Sequence, residues 1–259
     1  MILPLAAGDL FNALTALLWP FLRIGAMLMA APVFGARNVP VSARALLALM
    51  LALLVTPLLP PLPAVDPLTA AGLLIALQQI GLGLAMGFIL QMVFSTLAQA
   101  GEAMALSMGL GFASINDPQN GLSVPVVSQY YVIIATLVFL LLDGHLAAFG
   151  ILVDSFTRLP IGVEGLDADS LWRIIVWGTN MYAHALFVAL PVITAMLLVN
   201  LALGVVTRAA PQLNIFAVGF PAMLLIGLLA MMFSMPALQV QFERILHDAF
   251  GLLRAVTGN

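Results

Sequence analysis

Charged residues are so widely spaced in this chain that most of it cannot be arranged as a soluble fold. No Asp, Glu, Lys or Arg occurs between Asp66 and Glu102, between Arg173 and Arg208, or between Arg208 and Glu243. Each interval exceeds the roughly 20 apolar residues that cross a bilayer as one helix. Of 259 residues, 63% are hydrophobic and 7% charged, with a mean hydropathy of +1.17; soluble domains carry about 25% charged residues. The fold class this implies is an all-α integral membrane protein, or one whose apolar helices are covered by partners. Cysteine is absent, which excludes disulfides and thiolate metal sites. Eight arginines, no lysine and eleven acids leave no basic run, so no nucleic-acid partner is expected.

Apolar runs between charges and Gly/Pro punctuation predict helix-rich segments near 10–31, 45–60, 68–107, 124–153, 171–206 and 212–235, with a shorter amphipathic one near 238–256. The segments 68–107, 171–206 and 212–235 are long enough to cross a bilayer, and the first two long enough to be bent or split hairpins. Pro20, Pro191 and Pro221 are expected to kink their helices or begin new ones, since proline lacks the backbone donor and clashes with the preceding turn. The N-terminal segment lacks a basic start and is interrupted by Arg23, so it reads as a first helix rather than a removable signal. Asp154–Arg173 is the longest hydrophilic connector, with Asp169 or Ser170 as the expected N-cap of the next helix. Arg37 and Arg44 favour a cytoplasmic first connector, but the later connectors carry too few basic residues to fix orientation.

No catalytic constellation stands out. His145, His184 and His247 lie on separate segments without metal-binding spacing. Asp167 and Asp169 share a hydrophilic loop where both would stay ionised. Enzyme activity is therefore not expected, and neither a cofactor nor a metal is implied. The intramembrane charges are the next candidates. Arg23 fits a salt bridge to a partner, a charge lining a pore, or a snorkelling side chain. Glu102 fits either a buried acid paired across an interface or a helix end close to water. Asp143 and His145 fit either a proton relay or a polar turn between two helices. Gly83 and Gly87 form a GxxxG pattern that brings helices close, equally suited to packing within the chain or between subunits. Gln78, Gln79, Gln91 and Gln99 on the same segment could hydrogen-bond across helices. Met104 and Met108 lie one turn apart just before a polar stretch, GLGFASINDPQNGLSVP, that stands out from its oily surroundings.

In that stretch Gly109, Gly111 and Gly121 free the backbone while Pro118 and Pro125 forbid a continuous helix. Four motifs follow in order: Phe112-Ala113 with Asp117-Pro118, Gly144-His145-Leu146 after an apolar run, Ser155-Phe156 with Pro160 and Gly162, and Ala210-Pro211-Gln212 with Asn214 and Phe216. Together they resemble the FliR family of the flagellar type III export gate, over nearly the whole chain. Asp143 departs from the family pattern, which has Asn before Gly-His.

The resemblance implies a non-enzymatic subunit of kinked helices and helical hairpins. Such a chain would join FliP and FliQ in a helical ring that conducts unfolded flagellar substrates. Residues 1–170 would be a FliP-like part and 171–259 a FliQ-like hairpin with a terminal amphipathic helix. The expected setting is the bacterial inner membrane and flagellar basal body, with the gate partly on the periplasmic side and FlhB-like and FlhA-like components among the partners. Residues 106–122 would form a plug, in which Met108, Leu110, Phe112 and Ile115 seal a lumen and Asn116–Asn120 let the loop withdraw. Arg23, Gly83, Gly87, Glu102, Asp143, His145, Arg208 and Asn214 would be interface or buried polar positions. The alternatives are the equivalent subunit of a virulence injectisome and a small-solute secondary transporter.

Overall fold

The computed structural model describes residues 7–36, 38–61, 63, 65–110, 126–162, 165–210 and 215–258, with the side chains of 7–13 and 215–218 left aside. Seven α-helices make up nearly all of it: α1 (Ala7–Ala30), α2 (Val41–Val55), α3 (Ala70–Ser107), α4 (Val126–Leu141), α5 (Gly144–Arg158), α6 (Ala168–Ala209) and α7 (Ile215–Val256). No strand occurs among the described residues. Four stretches are long and apolar enough to cross a membrane, Val41–Leu58, Ala70–Ser107, Ala168–Ala209 and Gly219–Val256, and a fifth if α4 and α5 count as one broken span.

Local chemistry sets the helix ends. After α2 a 3-10 turn spans Thr56–Leu58, with Pro57 in its first positions, where the missing N–H costs nothing. The hydroxyl of Thr69 accepts from the Gly72 N–H at 3.1 Å and caps α3. Asp167, not Asp169 or Ser170, caps α6: its Oδ1 accepts from the Ser170 N–H at 2.8 Å. Asp169 instead pairs with Arg173 one turn on, at 2.8 Å.

Three sequence expectations fail in instructive ways. The 124–153 segment is two helices, broken at Leu142–Asp143, where Asp143 takes a left-handed φ of 52°. The expected separation of 212–235 from 238–256 is absent, because α7 runs unbroken through both Pro221 and Pro236. Likewise α3 and α6 are single helices of 38 and 42 residues, not split hairpins. At membrane depth an interrupted ladder is tolerated where neighbouring groups and local adjustments re-satisfy the freed carbonyl, so proline alone does not end a long apolar helix.

The chain forms two compact units. The first comprises Met1–Met92, Asp143–Trp177 and His247–Asn259. Its core is built on Trp19, Ile24 and Met27 of α1, Leu82 and Met86 of α3, and Phe156 of α5, all buried. The second comprises Val93–Leu142 and Gly178–Leu246. There Phe94 packs edge-on against Phe139 at 5.5 Å and Phe242 at 6.2 Å, the geometry that aromatic quadrupoles favour.

Candidate functional site

Two places hold chemistry that the apolar packing does not account for: the polar centre around Arg23 in the first unit, and the root of the polar loop in the second.

Arg23 sits on α1 with 0% exposure, among the least favourable places for a cation. Four hydrogen bonds compensate. Its Nε donates to Gln79 Oε1 at 2.8 Å. Nη1 donates to the Ser155 carbonyl at 3.0 Å and to Ser155 Oγ at 3.1 Å, and Nη2 donates to the Leu159 carbonyl at 3.0 Å. The guanidinium carbon also lies 4.3 Å from the centre of the Phe156 ring. The acceptors at Ser155 and Leu159 belong to the last turn of α5 and the residue after it, where the Ser155 carbonyl also accepts from the Leu159 N–H at 2.9 Å. Arg23 therefore acts as a capping cation at the negative end of a helix, tying α1, α3 and α5 together. Its Nε, Nη1 and Nη2 all donate inside the chain, so it neither snorkels nor needs a partner's acid.

Gly83 and Gly87 lie on the same contact. A Cβ at Gly83 would run into the Arg23 carbonyl oxygen and come within 2.8 Å of Ala26 Cβ; at Gly87 it would be 2.6 Å from Ala30 Cβ and 2.7 Å from the Met27 carbonyl. The pair brings α1 onto α3 within one chain, the first of the two roles open to it. The other candidates stay apart from this centre. Glu102 is exposed, Asp143 is exposed at the helix break, and Arg208 is exposed in the last turn of α6. His145 is half-buried with no partner at Nδ1. Among the described residues no group of three or more His, Asp and Glu could hold a metal ion.

At the loop's root, α3 ends in a Schellman motif. Leu110 N–H donates to the Ala105 carbonyl at 3.0 Å and Gly109 N–H to the Leu106 carbonyl at 3.1 Å. Gly109 holds the left-handed φ of +79° that this termination requires. Met108 is fully buried and fills a notch over Gly227 of α7: a Cβ there would lie 2.5 Å from Met108 Cε and 2.7 Å from its Cγ. Met108 is thus an anchor at the root, while Leu110 is half-buried beside it. Gly111, Phe112, Ile115, Asn116, Asp117 and Pro118 lie outside the described residues, as does Asn214. Sequence reasoning missed Ser155 and Gly227. Ser155 was visible as part of a motif but not as a ligand, and Gly227 is a lone glycine in an apolar helix with no spacing pattern to mark it.

Residues 14–249 match the family described as bacterial export proteins, family 1. The chain belongs to this family. It is 37% identical over 245 residues to the flagellar biosynthetic protein FliR of Pectobacterium carotovorum, which covers 95% of this chain and 94% of that one. It is 39% identical over 235 residues to the protein of the same name from Escherichia coli K12, covering 91% and 90%. The likeness extends to the FliR of Bacillus subtilis, 29% identical over 241 residues. The motifs that carried the resemblance in the sequence thus stand in a chain related to FliR proteins along nearly its full length.

Proposed function

We propose that this chain is the FliR-type subunit of a flagellar type III protein export gate, a structural part of a conduit rather than an enzyme. What carries the reading is the similarity to proteins named for flagellar biosynthesis over nine-tenths of both chains. The same names favour the flagellar machine over an injectisome. Against a secondary transporter stand the continuous α3 and α6 and the scatter of the ionisable groups, since transporters converge broken helices and charges on a central site.

In this reading the chain sits in the bacterial inner membrane and assembles with FliP-like and FliQ-like subunits. Residues 1–170 take a FliP-like place and 171–259 a FliQ-like one, and FlhB-like and FlhA-like components complete the apparatus. The loop 106–122 plugs the conduit until an unfolded substrate arrives. Its described root supports this, because a Schellman stop and a buried Met108 fix where the loop departs from α3. Native mass spectrometry of the tagged chain co-expressed with its FliP-like and FliQ-like neighbours tests the assembly. A complex holding one copy of this chain and several of each partner is expected; a stand-alone monomer or homodimer would remove the gate reading. Shortening 110–120 should raise ion leakage through that complex, and unchanged leakage would count against the plug.

A further inference from the structure

We infer that the slot between α1, α2 and α3 binds an anionic phospholipid, with acyl chain in the slot and headgroup at Arg44. The slot has a volume of about 360 Å³. Its inner walls are small, with Gly25 and Ala26 from α1 facing Ala45 and Ala48 from α2, and Phe21 and Leu84 are the larger groups beside them. Met29 and Val41, which also line it, are exposed, so the slot is open to the surroundings of the chain. A second depression of about 510 Å³, lined by Leu14, Leu18 and Leu49 among others, shares Phe21 and Ala45 with the first. Two adjoining apolar channels suit the two tails of a glycerophospholipid. A flexible run of methylenes can conform to both.

Charge selects the headgroup. Among the residues lining the first slot Arg44 alone is charged. Its Nη2 is fastened to the connector, donating to the Ala36 and Val39 carbonyls at 2.6 and 2.8 Å, and its Nε is buried without a partner. Both acceptors are neutral, so the bonds hold the guanidinium in place without cancelling its charge. From Asp9 to Asp66 the chain carries three arginines and no intervening acid. Arg23 is satisfied elsewhere, and the ion pair of Arg173 with Asp169 does not involve Arg44. Arg44 also stands in the first turn of α2, at the end of the helix whose dipole favours negative charge. Basic pockets between membrane helices are a recurrent means of holding acidic lipid headgroups.

The test is native mass spectrometry of the purified full-length chain offered equimolar phosphatidylglycerol and phosphatidylcholine. Retention is read on the chain alone, so the outcome is independent of whether partner subunits assemble. The wild-type chain should retain phosphatidylglycerol in preference, and R44Q should cut that preference about five-fold, the weight of one basic residue near an acidic surface. Because Arg44 also tethers the connector, R44K serves as the folding control: it keeps the charge and should keep the preference. Gly25→Leu should fill the slot and reduce retention of both lipids. Equal retention of the two lipids by the wild-type chain, or an unchanged preference in R44Q, would overturn the site. So would a photo-crosslinker at Ala48 that captures a neighbouring subunit, and no lipid, in intact membranes.

Discussion

Arg23 is the residue whose replacement should cost this chain most. With alanine there, Gln79 Oε1, Ser155 Oγ and the Leu159 carbonyl lose the donor that Arg23 supplies, and the Ser155 carbonyl is left with the Leu159 N–H alone. Unsatisfied buried groups cost about 1–3 kcal/mol each, so Arg23→Ala should destabilise the first unit by at least about 3 kcal/mol. Thermal unfolding of the detergent-solubilised chain reads this. Arg23→Lys should fall between, since a point charge cannot span acceptors that a planar fork reaches together. Asp167 offers a contrast on the exposed side. The Ser170 hydroxyl and N–H hold its carboxyl below the usual carboxylate range. Its capping contribution is therefore complete above the ordinary carboxyl pKa and is lost as pH falls through the lower, folded value. Amide exchange in the first turn of α6 should speed up in strong acid in the wild-type chain and show no such step in Asp167→Asn. Arg23 stood out in the sequence as a charge in an oily run, and Gln79 as one of four glutamines able to bond across helices, yet nothing local joined Arg23 to Gln79, Ser155 or Leu159 as partners. They lie 56 and more than 130 residues away, beyond the reach of any local pattern.

At the scale of elements, the contact of α1 with α3 rests on the absence of two side chains. Gly83→Leu would drive a side chain into the backbone of α1 at Arg23, which cannot rotate aside, and should cost about 1–3 kcal/mol of overpacking. Gly81→Ala on the same helix meets nothing within 4 Å. It should be neutral or stabilising by up to about 1 kcal/mol, because alanine is the better helix former. Equal melting temperatures for both variants would mean that the close approach is not what holds the helices together. The GxxxG pattern was legible in the sequence; which helix it faces was not. Boundaries followed the same division. The extent of α3, Ala70–Ser107, was readable as 68–107 from the apolar run and the glycines that follow it, because helix stops are local chemistry. The break at Asp143 and the continuity of α7 through Pro236 were not. There a left-handed aspartate and a tolerated proline are decided by what surrounds the helix, and the sequence does not display that. Of the loop, only its root from Met108 to Leu110 can be compared, and the burial of Met108 depends on Gly227, far along the chain.

For the whole molecule, the apolar surface of α6 is too long for lipid alone. Exposed large hydrophobic residues run from Leu171 to Val206, about 53 Å at 1.5 Å per residue, whereas the hydrocarbon core is about 30 Å thick. Even tilted by about 40°, the upper end of the usual range, such a helix would still project about 40 Å along the bilayer normal. Roughly 10 Å of oily surface would then meet water unless other protein covers it. Such cover would also account for the weak positive-inside signal, since a helix sheathed by neighbours need not be flanked by charges that mark the edges of a bilayer. Because the chain has no cysteine of its own, single cysteines placed at successive exposed positions between Leu171 and Val206 can be labelled one at a time with a membrane-impermeant maleimide. In membranes that also contain the FliP-like and FliQ-like subunits, the protected stretch should exceed the roughly 20 residues that a bilayer alone can shield. It should shrink towards that length when the partners are omitted. A protected stretch of about 20 residues in both cases would mean that lipid suffices, and that the length of α6 is not what demands an assembly.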